Sequence, residues 1–317
     1  MVHERAGMRL ILCLLATAAL SGAQEPPAFQ SDVSLVHVDA EVADGTRILT
    51  GLEKDDFLIK DAGQVQKILY FSQDEEPLDV ILLFDISGSM RPKVAKVGAS
   101  AHAALAELHR GDRVAIMTFQ VHSSIVLPFT DDLDAVERSI QEDVIAGKFR
   151  GGTHILAGVD DAAKYFLEQR QTRRRRAVLI LTDDIGQRSR RTSTVVHRLW
   201  EADALLSGLI IRSPADRALQ ITSAITNPLA YQFMREGMDG VAEKSGGEAI
   251  QAGDPGGAFR EMMQRVRRRY SLYYLMPPGK PGEERSVKVE LAAQTLNRFP
   301  AARVRARKGY MVPAILK

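Results

Sequence analysis

Cysteine is nearly absent. The 317 residues contain one, Cys13, and it sits inside a leader-like segment, so a chain cleaved after Ala23 would hold no thiol. That excludes disulfides, thiolate catalysis and cysteine metal sites. The seven histidines show no metal-ligand spacing, which argues against a zinc centre. No apolar run reaches the ~18 residues of a membrane-spanning helix. Neither sign of charge dominates: 42 Lys and Arg stand against 40 Asp and Glu, a net charge of +2. No strong electrostatic bias therefore marks nucleic acid as a partner. Internal repeats and long low-complexity segments are also missing.

The first 23 residues have a composition of their own. Arg5 and Arg9 precede a short apolar core, Leu10 to Leu20, and small residues at Ser21 and Ala23 precede Gln24. This is the layout of a secretory signal peptide, with a core too short to span a bilayer as a mature helix. A secreted or periplasmic chain, with no transmembrane segment once mature, is the expectation.

Three stretches follow. Residues 31–76 read as short strands: Val36, Val38, Ala40 and Val42 alternate with His37, Asp39 and Glu41, and "DFLIKD" (Asp56 to Asp61) and "QVQKILYF" (Gln64 to Phe71) continue the pattern. Residues 77–267 alternate strand and helix, which implies a mostly parallel, doubly wound α/β sheet. Residues 268–313 return to strands. Seven short strands, four before the α/β unit and three after it, predict one small all-β sandwich domain into which the α/β domain is inserted. The arginine runs Arg173–Arg176 and Arg265–Arg269 are expected in a solvated turn and at a helix end, respectively.

The chemistry gathers at "DISGSM" (Asp85 to Met90). The apolar strand Leu78 to Phe84 ends on Asp85, and Ser87 and Ser89 follow at alternate positions, with Gly88 expected to allow a tight turn. Loops at the carboxyl ends of strands in an open α/β sheet gather at one edge and build the site. Two more such loops carry oxygen: Thr153 after Gly151 and Gly152, and Asp183 after "LILT". These residues alone leave three readings open: a cation site, a nucleophile, or serines that merely cap the next helix. "DISGSM" is not a Gly-x-Ser-x-Gly elbow, and an aspartyl phosphotransferase would usually carry Asp where Ser87 stands.

The set resembles the metal-ion-dependent adhesion site of von Willebrand factor type A domains: Asp-x-Ser-x-Ser, then a distant Thr, then a distant Asp after an apolar strand. The resemblance covers roughly residues 77–267. "GLEKDDFLIKDAGQVQKI" (Gly51 to Ile68) and "ARKGY" (Ala306 to Tyr310) are similar to a secreted bacterial family related to such domains, with an Ig-like β part. It implies a protein-binding, adhesion-type module rather than an enzyme. Asp85, Ser87, Ser89, Thr153 and Asp183 would hold Mg²⁺, or Mn²⁺ or Ca²⁺, as hard oxygen ligands suit these ions. An open position on the ion would take an Asp or Glu carboxylate of a protein partner. Arg188, Arg190 and Arg191 would form a basic rim beside it. One departure stands out: the family often has Gly after the third-loop Asp, and this chain has Asp184. A metal-dependent phosphoester hydrolase and a structural domain with an idle metal site are the alternatives.

Export predicts a mature N-terminus at Gln24. Mass spectrometry of the protein from its native host checks this, and an intact Met1 or a lipid on Cys13 would contradict it.

Overall fold

The computed structural model describes residues 34–73, 75–169, 174–186, 189–212, 218, 222, 225–227 and 237–313. The leader segment and Arg188 lie outside them. The chain opens with β1 (Leu35–Asp44), β2 (Arg47–Ile48), β3 (Phe57–Asp61), β4 (Gln64–Gln66) and β5 (Ile68–Gln73). "QVQKILYF" is thus two strands, and they belong to different sheets: β4 pairs with β3, whereas β5 pairs with β12 (Tyr270–Leu275).

The α/β unit runs β6 (Leu78–Asp85), α1 (Arg91–Gly98), α2 (Ala101–Leu105), β7 (Arg113–Phe119), β8 (Ser123–Thr130), α3 (Leu133–Ser139), α4 (Ile155–Glu168), β9 (Arg175–Thr182), α5 (Thr192–Glu201), β10 (Ala204–Ile211), α6 (Met238–Ser245), β11 (Ala249–Ala252) and α7 (Pro255–Arg267). Sheet order is β11-β10-β9-β6-β7-β8, parallel except for β8. Along β6, Leu78, Val80, Leu82 and Phe84 pack under α1, α2, α3 and α7, while Ile81 and Leu83 pack under α4, α5 and α6. A strand covered on both faces needs an unbroken apolar run, which is what β6 and β9 provide. From β6 the chain proceeds to β7 on one side, and β9 later lands on the other. The strand order reverses there, which opens a crevice at the carboxyl ends of β6 and β9.

After α7 come β12, β13 (Glu284–Leu291), α8 (Ala293–Arg298), β14 (Ala302–Ala306) and β15 (Gly309–Met311). β1 lies between β12 and β14, and β3 between β13 and β4. Val38, Val42, Ile59, Leu272, Tyr274 and Val287 from these two sheets share one core. Among the described residues five strands precede the α/β unit and four follow it, not four and three; β2, β4 and β15 are two- and three-residue pieces too short to show a sequence period.

The first run is not a solvated turn among its described residues, Arg174–Arg176; the second ends α7, as expected, and of its arginines Arg268 is exposed. Arg175 is 0% exposed and Arg176 is buried beside it. Arg175 donates to Asp39 at 2.8 Å and to the carbonyls of Val266 and Arg267. Arg174 and Arg113 both bind Asp79. In the second run, Arg265 reaches Glu41 at 3.0 Å, Arg267 reaches Asp112, and Arg269 donates to Gly246 O. Charge density alone misleads at these sites, because the acids that receive the arginines are distant in sequence: Asp39 and Glu41 lie on the polar face of β1. Among the described residues, no helix is long and apolar enough to cross a membrane.

Asp39→Ala strands the buried Arg175 charge and is expected to destabilise the protein by about 3–5 kcal/mol. Arg175→Met in the same background should recover most of that loss. Denaturant unfolding of Asp39→Ala, Arg175→Met and the double variant checks both statements, and additive losses would mean that the pair is not coupled.

Candidate functional site

Asp85 ends β6 with its carboxylate 0% exposed. A buried carboxylate needs donors, and Asp85 finds three. Its Oδ1 accepts from the Ser87 amide at 2.9 Å and from Thr153 Oγ1 at 3.2 Å. Its Oδ2 accepts from Thr182 Oγ1 at 2.7 Å. Burial pushes the Asp85 carboxyl up from its ordinary value, and the nearby charge of Asp183 adds to that. The hydrogen bonds from Thr182 and Ser87 oppose the rise without cancelling it. One site thus holds two carboxylates, and ionising Asp85 there is costly.

The serines continue the chain of contacts. Ser87 Oγ lies 3.4 Å from Ser89 Oγ, and Ser89 Oγ donates to Asp183 Oδ2 at 2.6 Å. Neither serine caps a helix through its side chain: the short 3₁₀ turn Gly88–Met90 and α1 both begin without a side-chain cap bond. The capping alternative therefore fails. Gly88 also departs from expectation. Its φ lies outside the left-handed range and a Cβ there would meet nothing within 4 Å, so the turn does not require glycine and the space above it is open.

The second loop is set by backbone pairing. Ile86 donates to Phe119 O, Arg150 to Ile86 O, and His154 to Gln120 O. Thr153 is thereby held, buried, against Asp85. His154 opens α4 and its carbonyl accepts from Gly158. In the third loop, Asp183 Oδ1 accepts from the Ile185 amide at 3.1 Å. Asp184 adopts φ +57°. That left-handed conformation is easiest for glycine and next easiest for Asp or Asn, which gives a physical reason for glycine at this place in the family. The extra charge of Asp184 is neutralised by Arg212, whose Nη2 donates to Asp184 Oδ2 at 2.9 Å and whose Nε donates to Asp183 O at 3.2 Å. Gly186 permits a close approach: a Cβ there would stand 2.7 Å from Thr153 O.

All five residues of the sequence motif thus converge at the crevice between β6 and β9, through Thr153–Asp85 on one side and Ser87–Ser89–Asp183 on the other. The rim is different. Arg190 and Arg191 are exposed, and Arg190 turns towards Asp160 of α4 at 3.8 Å; Arg188 lies outside the described residues.

Three contributors escape the motif. Lys93, in the first turn of α1, donates to Asp183 Oδ2 at 2.8 Å. A cation at a helix N-terminus opposes the helix dipole, and that mismatch was the available signal. Thr182 and Arg212 are polar residues at or just after the ends of buried strands, the same signal that marks Asp85. Among the described residues no three His, Cys, Asp or Glu side chains cluster as metal ligands; the donor set here is two carboxylates with neutral hydroxyls.

Residues 80–187 match the sequence model of the von Willebrand factor type A domain. No curated protein matches the chain in sequence. Among solved structures, similar folds include an aerotolerance-related membrane protein from Bacteroides fragilis (16% identity, TM-score 0.45, 60% of this chain and 98% of that one). BatB from Bacteroides thetaiotaomicron aligns at 18% identity and a TM-score of 0.47, over 60% of this chain and 97% of that one. A von Willebrand factor type A protein from Catenulispora acidiphila aligns at 14% identity and a TM-score of 0.46, over 84% of this chain and 72% of that one. The motif order and the sequence match agree on one segment: residues 80–187 carry a von Willebrand factor type A domain match, over about a third of the chain.

Proposed function

We propose that the chain is an exported protein-interaction module whose α/β domain, inserted in a discontinuous β-sandwich domain, binds its partner through a divalent cation at the β6–β9 crevice. The observation that carries this reading is the convergence of two buried carboxylates and three hydroxyls from three loops, with neither serine spent on a helix cap. The donor set fits Mg²⁺ or Mn²⁺: all oxygen, with two formal negative charges. A cationic group already lies on Asp183 in the form of Lys93, so the position favours positive charge. Ser87, Ser89 and Asp183 would be the direct ligands. Asp85 would act through the hydroxyls it orders, because it is fully buried and its oxygens face Thr153, Thr182 and the Ser87 amide. The ion would supply an electrophilic position for a partner's Asp or Glu carboxylate, and Arg191 would add a positive rim. A burial this complete is unlike an attacking carboxylate, so nothing here favours phosphoester hydrolysis through Asp85.

The site variants differ in what they do to the fold. Asp85→Ala strands the buried hydroxyls of Thr153 and Thr182 and is expected to cost about 1–3 kcal/mol for each. The cleaner test is Ser87→Ala with Ser89→Ala. This double variant should keep its unfolding midpoint close to wild type and lose at least roughly 10- to 100-fold in Mn²⁺ affinity by calorimetry, since the loss of even an outer-shell partner costs that much. Equal heats from wild type and the double variant would show that these serines hold no ion.

A further inference from the structure

Lys93 marks the site as one that favours positive charge, but it is not one of the groups that would hold the ion. Its ammonium lies 2.8 Å from Asp183 Oδ2, with the lysine side chain 11% exposed and the aspartate 0%. This is not a rim pair of the exposed kind that contributes little. The side chain gives up rotamer freedom and stands against the helix dipole to make the contact.

The remaining charges near the site are already matched. Asp184 is held by Arg212. Asp85 is satisfied by neutral donors. Asp183 Oδ1 is turned into its own loop by the Ile185 amide. The oxygen of Asp183 that reaches the Ser87–Ser89 pair is therefore Oδ2, and Lys93 is on it. An ion bridging Ser87, Ser89 and Asp183 needs that same oxygen, and two cations sharing it repel across a short, poorly solvated distance.

We propose that Lys93 is a competitor ion built into the chain. It neutralises Asp183 when no divalent ion is bound, it must leave when one binds, and it thereby sets the ion affinity of the site. This rests on the cation-site reading above and goes beyond it by assigning a residue that regulates the site rather than forming it. The consequence is an ion-free state in which Asp183 keeps a counter-charge, and a loaded state reached only at ion concentrations high enough to displace an intramolecular ammonium.

The test is Lys93→Met, with Lys93→Gln as a second variant, in the full chain. Calorimetry with Mn²⁺ and Mg²⁺ should show at least roughly tenfold tighter binding in both variants than in wild type, as a neighbouring unit charge shifts a carboxylate's proton affinity by one to three decades. Thermal unfolding supplies a second readout. Without ion, the variants should melt below wild type, because Asp183 has lost its counter-charge; with Mg²⁺ they should gain more than wild type gains. A variant that folds only with the ion present would support the proposal equally. Equal affinities and equal ion-induced shifts in wild type and variants would overturn the competitor role while leaving the cation site intact. If no protein binds either ion and the variants' loss of stability is not restored, the competitor role and the cation site both fall.

Discussion

A carboxylate at the end of a fully buried strand must find donors or give up its charge. Asp85 finds its donors in three places: the amide of Ser87 in its own loop, the hydroxyl of Thr153 from the loop before α4, and the hydroxyl of Thr182 at the end of the neighbouring strand β9. Each bond in a buried setting is stronger than in water, and each costs more to leave unmade. The same three bonds bring the loops together. Once Thr182 is fixed against Asp85, Asp183 follows directly beside it, and the serines after Asp85 face it. The sheet edge is thus organised around a group that is itself too buried to be the main point of contact for an outside ligand.

A similar logic joins the strands before and after the α/β unit to it. Asp39 and Glu41 lie on the face of β1 opposite Val38 and Ala40, and they receive Arg175 from β9 and Arg265 from α7. His37 on the same face pairs with Asp203 at the end of α5. Burial opposes the His37 imidazolium, but the charge and hydrogen bond of Asp203 outweigh it and raise His37 above its ordinary value. Burial likewise opposes ionisation of Asp203, which His37 and Arg307 nonetheless hold down at about 2. The polar stripe of β1 is therefore a contact surface within the protein.

The α/β part of this arrangement was legible because its signals are local. An apolar strand that ends on Asp, hydroxyls at alternate positions, and glycines before a threonine can all be read along the chain. What was not legible depends on pairing at a distance. "QVQKILYF" has the composition of one strand, yet its halves join different sheets because β12, some 200 residues later, claims the second half. The first arginine run looks solvated until Asp39 and Asp79 are placed beside it. Lys93 carries a local anomaly, a cation in the first turn of a helix, and its contact with Asp183 comes from a loop 90 residues away. Asp184 sits at a position where backbone geometry favours glycine, and its charge is matched by Arg212 from the end of β10.

In the proposal above, Lys93 stands at the β6–β9 crevice where a divalent ion would act. Anomalous diffraction from crystals grown with Mn²⁺ tests this most directly. The expected result is a single manganese peak bordered by Ser87, Ser89 and Asp183, with the Lys93 ammonium turned away from Asp183. Crystals in saturating Mn²⁺ that show no peak there, with Lys93 still on Asp183, would contradict it.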